Sequence, residues 1–177
     1  MEFGATFERL AHPDLIRLAR HCQGLAPPHQ LPRRADFDPA PVMRYLAGQL
    51  YLIDVLDGGA DYRFRLFGLF WQTVYGCNLA GELLSDIEAT GNLLVLRAHY
   101  DACVAQRAPI FRPGKLIWPD RHAIAYQRLL IPFAGDDGAV SLLVCAAHSD
   151  IPREDVCLYQ GLGVPRLELD EPEERAG

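Results

Sequence analysis

Lysine is almost missing from this chain. Of 17 basic residues in 177, Lys115 is the single lysine and the rest are arginines, set against 23 acidic residues for a net charge of -6. Nucleic-acid binding needs clustered cations that displace counterions from phosphates. Here the arginines are scattered, with Arg33 and Arg34 the only adjacent pair, so the balance argues against a nucleic-acid partner. Serine is scarce too, at Ser85, Ser141 and Ser149 only. No Gly-x-Ser-x-Gly, His-Glu-x-x-His or phosphate-cradling glycine loop occurs, which leaves a hydrolase or nucleotide-binding reading without its usual machinery. The five cysteines, Cys22, Cys77, Cys103, Cys145 and Cys157, are odd in number and lack a Cys-x-x-Cys pair. Neither a disulfide framework nor a zinc site is indicated, and a reducing cytoplasm fits best. No apolar run reaches the eighteen or so residues of a membrane span, and no basic stretch followed by an apolar core opens the chain. The expectation is a soluble, unexported, cytoplasmic protein with no membrane partner.

What is present is a chain half hydrophobic in composition, long enough as one domain to bury roughly two-thirds of its unfolded surface. His12, Pro13 and Asp14 form a helix start. Leu15, Leu18, Ala19 and Cys22 then make an apolar stripe that ends at Gly24. Leu25 to Asp38, with Pro27, Pro28 and Pro32, reads as an extended surface connector, and Pro39 and Pro41 open another helical turn through Leu46. Leu50 to Val55 is an apolar strand, and Asp57, Gly58, Gly59 and Ala60 supply a hairpin turn. Tyr62, Arg63, Phe64, Arg65 and Leu66 alternate, which puts the apolar groups on one face and the guanidinium groups on the other. Leu69 to Tyr75 gives about two helical turns stopped by Gly76, and Glu82 to Ile87 a further short one. Asn92 to Arg107 is the longest helical pattern, with Leu93, Leu96, Tyr100, Cys103 and Val104 in phase. Ile110 to Trp118, His122 to Phe133 and Ala139 to Ala147 read as three closing strands. Val156 to Leu162 adds a turn, and the acidic, apolar-poor Glu168 to Gly177 is expected to be disordered.

The order of two strands, short helices, one long helix and three strands resembles the PAS fold. The chain is similar in particular to short stand-alone bacterial PAS proteins. The matching residues at the entry are Leu31, Pro32, Arg33, Arg34, Asp36, Phe37, Asp38 and Pro39, followed on the second strand by Tyr62 to Gly68. Gly76, Asn78, Leu79 and Gly81, then Tyr126, Arg128, Leu129, Leu130, Ile131 and Pro132, complete them. They span residues 31 to 147. The resemblance implies an α+β fold, with a five-stranded antiparallel sheet, helices on one face enclosing a small cavity, and an N-terminal amphipathic helix. Residues 1–47 would hold that helix and the proline-rich connector, 48–147 the PAS core, and 148–177 a partly disordered C-terminal extension.

The function implied is signal transduction: a sensory or regulatory module, not an enzyme, that binds a small organic molecule or another protein. At this length no output domain is expected in the chain, so the signal would pass to a partner protein or through a homodimer. The stripe at Leu15, Leu18, Ala19 and Cys22 must be buried somewhere, which suggests a dimer through the N-terminal helix and the outer sheet face. The expected cavity wall is Phe64, Leu66, Phe70, Trp71, Leu93, Leu96, Tyr100, Trp118 and Tyr126, an apolar surface with hydroxyl and indole donors that suits an organic ligand. The competing reading is an adaptor in which these side chains simply fill the core. Arg63 and Arg65 would need carboxylate or carbonyl partners if the outer face is covered.

The resemblance also raises two cofactors, and both are judged unfavourable. Cys77 falls where light-sensing flavin PAS domains carry a photoreactive cysteine. Those domains, however, have asparagine before cysteine, whereas Cys77 precedes Asn78. His99 lies on the helix from which some haem PAS domains supply an axial ligand, yet its helical phase sets it about 100° from Tyr100, toward the edge of the buried face. His122 reads as a turn residue, and no metal-spaced cluster accompanies either histidine. Asp101 and Glu82 are the acids that a small cavity enzyme would need, the least favoured class, and acids on short helices are ordinarily solvated.

Overall fold

The protein is described from a computed structural model, covering residues 8–88, 94–152, 155, 157 and 164–169. Helix α1 runs Pro13–Gln23 and α2 Ala40–Leu46; strands β1 (Leu50–Leu56) and β2 (Asp61–Phe67) follow, then α3 (Leu69–Tyr75), α4 (Leu84–Glu88) and α5 (Leu94–Gln106). Strands β3 (Ile110–Ile117), β4 (Ala123–Ala134), β5 (Val140–Ser149) and β6 (Arg166–Leu169) complete the chain. All neighbours pair antiparallel in one sheet of order β2-β1-β5-β4-β3-β6. The expected five strands are there in α+β context. The sheet gains a sixth.

That sixth strand corrects the reading of the acidic tail. Arg166, Leu167, Glu168 and Leu169 alternate polar and apolar, and they pair with Ile117, Leu116, Lys115 and Gly114. Leu167 is buried and Glu168 exposed, so four residues suffice for an edge strand although their composition looks solvated. Residues 170–177, and the expected turn at Val156 to Leu162 except Cys157, lie outside the described residues.

Both sheet faces are covered. On the inner face Tyr51, Ile53 and Val55 of β1, Tyr126 and Leu130 of β4, and Leu143, Cys145 and Ala147 of β5 pack with α3, α4 and α5. On the outer face Leu50, Leu52, Leu129, Ile131, Phe133, Leu142, Val144 and Ala146 pack with α1 and α2. The reason lies in β4 and β5, whose successive residues are apolar and buried from Leu129 to Ala134 and from Leu142 to Ala147. Strands with no solvent-facing set need a layer on each side. The helices expected on one face are therefore joined by a second layer on the other. Leu15, Leu18, Ala19 and Cys22 of α1 are fully buried against this chain's own sheet, which removes the motive for a dimer through that stripe.

Two glycines set how β1 enters the sheet. A Cβ on Gly68 would lie 2.2 Å from the Gly48 carbonyl oxygen, and one on Gly48 would lie 2.8 Å from the Phe70 Cβ. The Phe70 N–H donates to the Gly48 carbonyl at 3.1 Å. The backbones thus meet directly, and α3 starts where β1 begins. Gly76 then ends α3 in the left-handed conformation, φ 72°. The connector docks on the sheet as well: the Ala134 N–H donates to the Pro32 carbonyl at 2.9 Å, and Arg34 reaches Asp54 at 2.8 Å and the Ser141 carbonyl at 3.0 Å. Arg65 stands 3.8 Å from the same Asp54, the kind of carboxylate partner expected for it.

The β1–β2 pairing holds an irregularity that matters for the site. Leu52 faces Leu66, but Ile53 faces Phe64, so Arg65 is an extra residue with no opposite number. One extra residue inverts the alternation beyond it. Tyr62, Phe64 and Phe67 point inward, while Leu66 packs with the outer cluster.

Candidate functional site

Between the inner face and α5 lies a small, partly open cavity. The sheet contributes Tyr51 from β1, Phe64 and Phe67 from β2, and Tyr126 and Arg128 from β4. Trp71 and Tyr75 come from α3, Leu79 from the loop after it, and Leu96 and Tyr100 from α5. Leu167 of β6 lines it as well. Trp71 is fixed by its Nε1–H, which donates to the Gln49 carbonyl at 3.2 Å, and its ring meets Tyr126 edge-on at 5.5 Å. The space left is about 20 Å³ for the centre of a water, room for about one or two waters.

Of the expected wall, Phe64, Trp71, Leu96, Tyr100 and Tyr126 come together here. Leu66 does not, because the extra residue in β2 turns it to the outer face. Trp118 is buried in the inner cluster at the far end of β3, beside His122 at 6.3 Å between rings, and stands off the cavity. Phe70 is also in that cluster, edge-on to Trp71 at 4.9 Å, but not on the lining. Leu93 lies outside the described residues.

The sequence reading missed the polar end of the cavity. Arg128 is wholly buried, and two of its nitrogens, Nε and Nη1, have no partner. Its Nη2–H donates to Nδ1 of His99 at 2.6 Å. Its Cζ sits 5.6 Å from the centroid of the Tyr100 ring, an attractive arrangement of cation over π-face, and the Tyr100 hydroxyl is itself buried without a partner. The Tyr126 hydroxyl lies near the Tyr51 and Arg128 side chains, although without geometry that satisfies Nε or Nη1. A signal was available: Tyr126, Arg128 and Leu130 are two apart on one strand, so a wall that includes Tyr126 includes Arg128.

The charges here are of one sign. Burial opposes the Arg128 charge, the oxygens of Tyr51, Tyr126 and Tyr100 and the Cys145 sulfur favour it, and its pKa ends above the ordinary arginine value. Burial pushes the pKa values of Tyr51 and Tyr100 well up, with smaller effects from their neighbours, leaving both phenols as neutral hydrogen-bonding groups. Burial first, then Arg128 and Arg112, bring His99 down to about 3, so it is a neutral acceptor. Arg112 sits directly opposite Arg128 across the β3–β4 pair, with its own Nε buried and unpartnered. Among the described residues no ion pair reaches either arginine.

The other sequence candidates lie elsewhere. Cys77 is exposed on the loop after α3, off the cavity lining, and burial with Glu82 raises its thiol pKa. Cys145 is buried on the inner face with its thiol pKa well raised by burial. His99 spends Nδ1 on Arg128. Asp101 is exposed and accepts from the Tyr62 hydroxyl at 2.5 Å, and Glu82 is exposed too. His122 follows a turn, where its N–H donates to Asp120 at 2.9 Å. Among the described residues no group of three or more metal-ligating side chains occurs, and no helix is long and apolar enough to cross a membrane.

A curled antiparallel sheet with helices closing a cavity on its inner face defines a class of α+β cavity domains. Within that class the chain belongs to the PAS domain family, whose sequence profile matches residues 10–147. No curated protein matches the chain. Among solved structures it is similar to an RNA-binding light-oxygen-voltage receptor, at 15% identity and a TM-score of 0.46, over 76% of this chain and 38% of that one. It is similar to VqmA bound to DPO, at 12% identity and 0.42, over 62% and 56%. It is also similar to VqmA in the Vibrio cholera VqmA–ligand–DNA complex, at 10% and 0.41, over 72% and 59%. The chain thus spans less than two thirds of the length of each.

Proposed function

We propose that this PAS domain is a sensory module that takes a small molecule into the cavity between sheet and α5 and passes its occupancy to a partner protein. The observation that carries the reading is that two residues lining the cavity hold buried polar atoms without partners: Nε and Nη1 of Arg128 and the hydroxyl of Tyr100. Buried polar groups in native proteins are nearly always satisfied, and a side chain that faces a cavity without a partner is placed to meet a guest. Phe64, Trp71, Leu96, Tyr100 and Tyr126 would contact it. The net charge of -6 and the scattered arginines favour a metabolite and a protein partner over a nucleic acid. The free thiols suit a reducing compartment such as the cytoplasm.

One observation favours the adaptor reading: the walls leave only about 20 Å³, so a chain that binds protein alone would need little further packing. Native mass spectrometry of gently purified protein, beside its denatured mass, separates the two and reports subunit number. The expected result is extra mass that is lost on denaturation. A bare mass, together with no thermal shift from a panel of charged and neutral metabolites, would refute the sensor and leave the adaptor.

A further inference from the structure

From the charge pattern of the cavity we infer that its ligand is a small monocarboxylic acid, with its carboxylate on Arg128 and its carbon end against Phe64, Phe67 and Leu96. This deepens the sensor reading and rests on it. A buried guanidinium ordinarily has a carboxylate beside it, since an unpaired charge in the core is strongly destabilising. Arg128 is fully buried, and among the described residues no acid pairs with it. The nearest charged neighbour across the strands makes matters worse: Arg112, directly opposite on β3, has the same sign. His99 gives Arg128 an acceptor but no negative charge, and it fixes the guanidinium by taking the Nη2–H at 2.6 Å. The missing component is one negative charge, at the place where Arg128 Nε and Nη1 and the Tyr100 hydroxyl lack partners.

The wall also limits what carries the charge. Tyr51, Tyr100 and Tyr126 lie within electrostatic reach of Arg128, whereas Phe64, Phe67, Leu79, Leu96 and Leu167 add only carbon to the wall. A phosphate has acceptor oxygens on every side and would leave some against that carbon. A carboxylate concentrates charge and acceptors in one planar end that matches guanidinium donors. The present space admits about one or two waters, so the acid is short and the wall yields to it. Leu167 is the part of the wall with the weakest hold, because β6 is a four-residue strand at the sheet edge.

The test is calorimetric titration and thermal shift on the full chain with propionate, butyrate and benzoate, beside propionamide, benzamide, phosphate and chloride at matched ionic strength. The acids are expected to bind and raise the melting temperature, and the amides and inorganic anions are not. Arg128→Met should weaken acid binding about ten- to a hundredfold while leaving the ligand-free protein as stable as before or more so. Tyr100→Phe, a milder change that covers the case in which Arg128→Met fails to fold, should weaken it severalfold. Amides that bind as tightly as the acids would overturn the carboxylate inference and leave the sensor reading intact. Phosphate acting as strongly as propionate would overturn it in favour of an unselective anion site. Failure of every compound, with no copurified mass, would sink both.

Discussion

Replacing Leu18 by alanine tests whether α1 is part of this domain or the contact surface of a dimer. Leu18 is fully buried in the outer cluster that includes Phe133, Val144 and Leu142. The substitution removes three carbons, about 2.4 kcal/mol of transfer free energy at about 0.8 per group. Incomplete collapse of the hole adds a cavity contribution, for a total of about 3 to 5 kcal/mol. For a chain of this size each kcal/mol lowers the melting temperature by about 2 to 4 °C, so a fall of about 6 to 20 °C is expected. Urea unfolding by circular dichroism at protein concentrations spanning two decades is the assay. Burial inside one chain makes the loss independent of concentration, whereas burial between chains makes stability fall on dilution. Leu69→Ala, at a position 69% exposed, is the control and should change stability by less than about 0.5 kcal/mol. A Leu18→Ala loss that small, or one that grows on dilution, would refute the placement of α1.

Gly68→Ala should cost about 1 to 3 kcal/mol or more by overpacking, because the added Cβ meets the Gly48 and Leu50 carbonyl oxygens at 2.2 and 2.7 Å; unchanged urea unfolding would contradict that backbone contact. Imidazole nitrogen NMR should show His99 neutral at pH 7 and still neutral at pH 5, with the proton on Nε2, since burial and then Arg128 and Arg112 bring its pKa down to about 3. A midpoint near the ordinary value of about 6.5 would be inconsistent with the contact to Arg128. The unfolded chain gains this proton below about pH 6.5 and the folded one does not. His99 therefore makes the protein less stable as pH falls from about 6.5 toward 3, and His99→Gln should flatten that slope in denaturation measured at pH 7 and pH 5.

Local signals carried much of the fold. The apolar run at Leu50, the glycine stop after Tyr75 and the helical phase of Leu96, Tyr100 and Cys103 each correspond to an element in the structure, with the ends moved by a residue or so. The second helical layer was legible too, in the unbroken apolar runs of β4 and β5, but a resemblance that puts helices on one face drew attention away from it. Strand β6 was hidden because four residues in an acidic stretch carry little compositional weight, and what forms the strand is the open edge of β3, from 49 to 55 positions earlier. In the cavity, five of the wall residues followed from periodicity. Arg128 did not, because arginine is assigned to solvent by habit and only its strand partners reveal that it has no way out.

The extra residue in β2 works like a frameshift in a two-letter code. Up to Phe64 the even-numbered positions are inside, and from Leu66 onward they are outside, so the strand is written in two frames joined at Arg65. Parity carried through the join would aim a designed polar substitution for the surface at Phe67, where it would land in the cavity wall. Deletion of Arg65 would remove the unpaired residue and leave Phe64, Leu66 and Phe67 in simple alternation, with Leu66 still opposite Leu52 and Phe67 still opposite Tyr51. The numbering parity that faces the cavity thus switches at a residue that does not line it, through a count and not a contact.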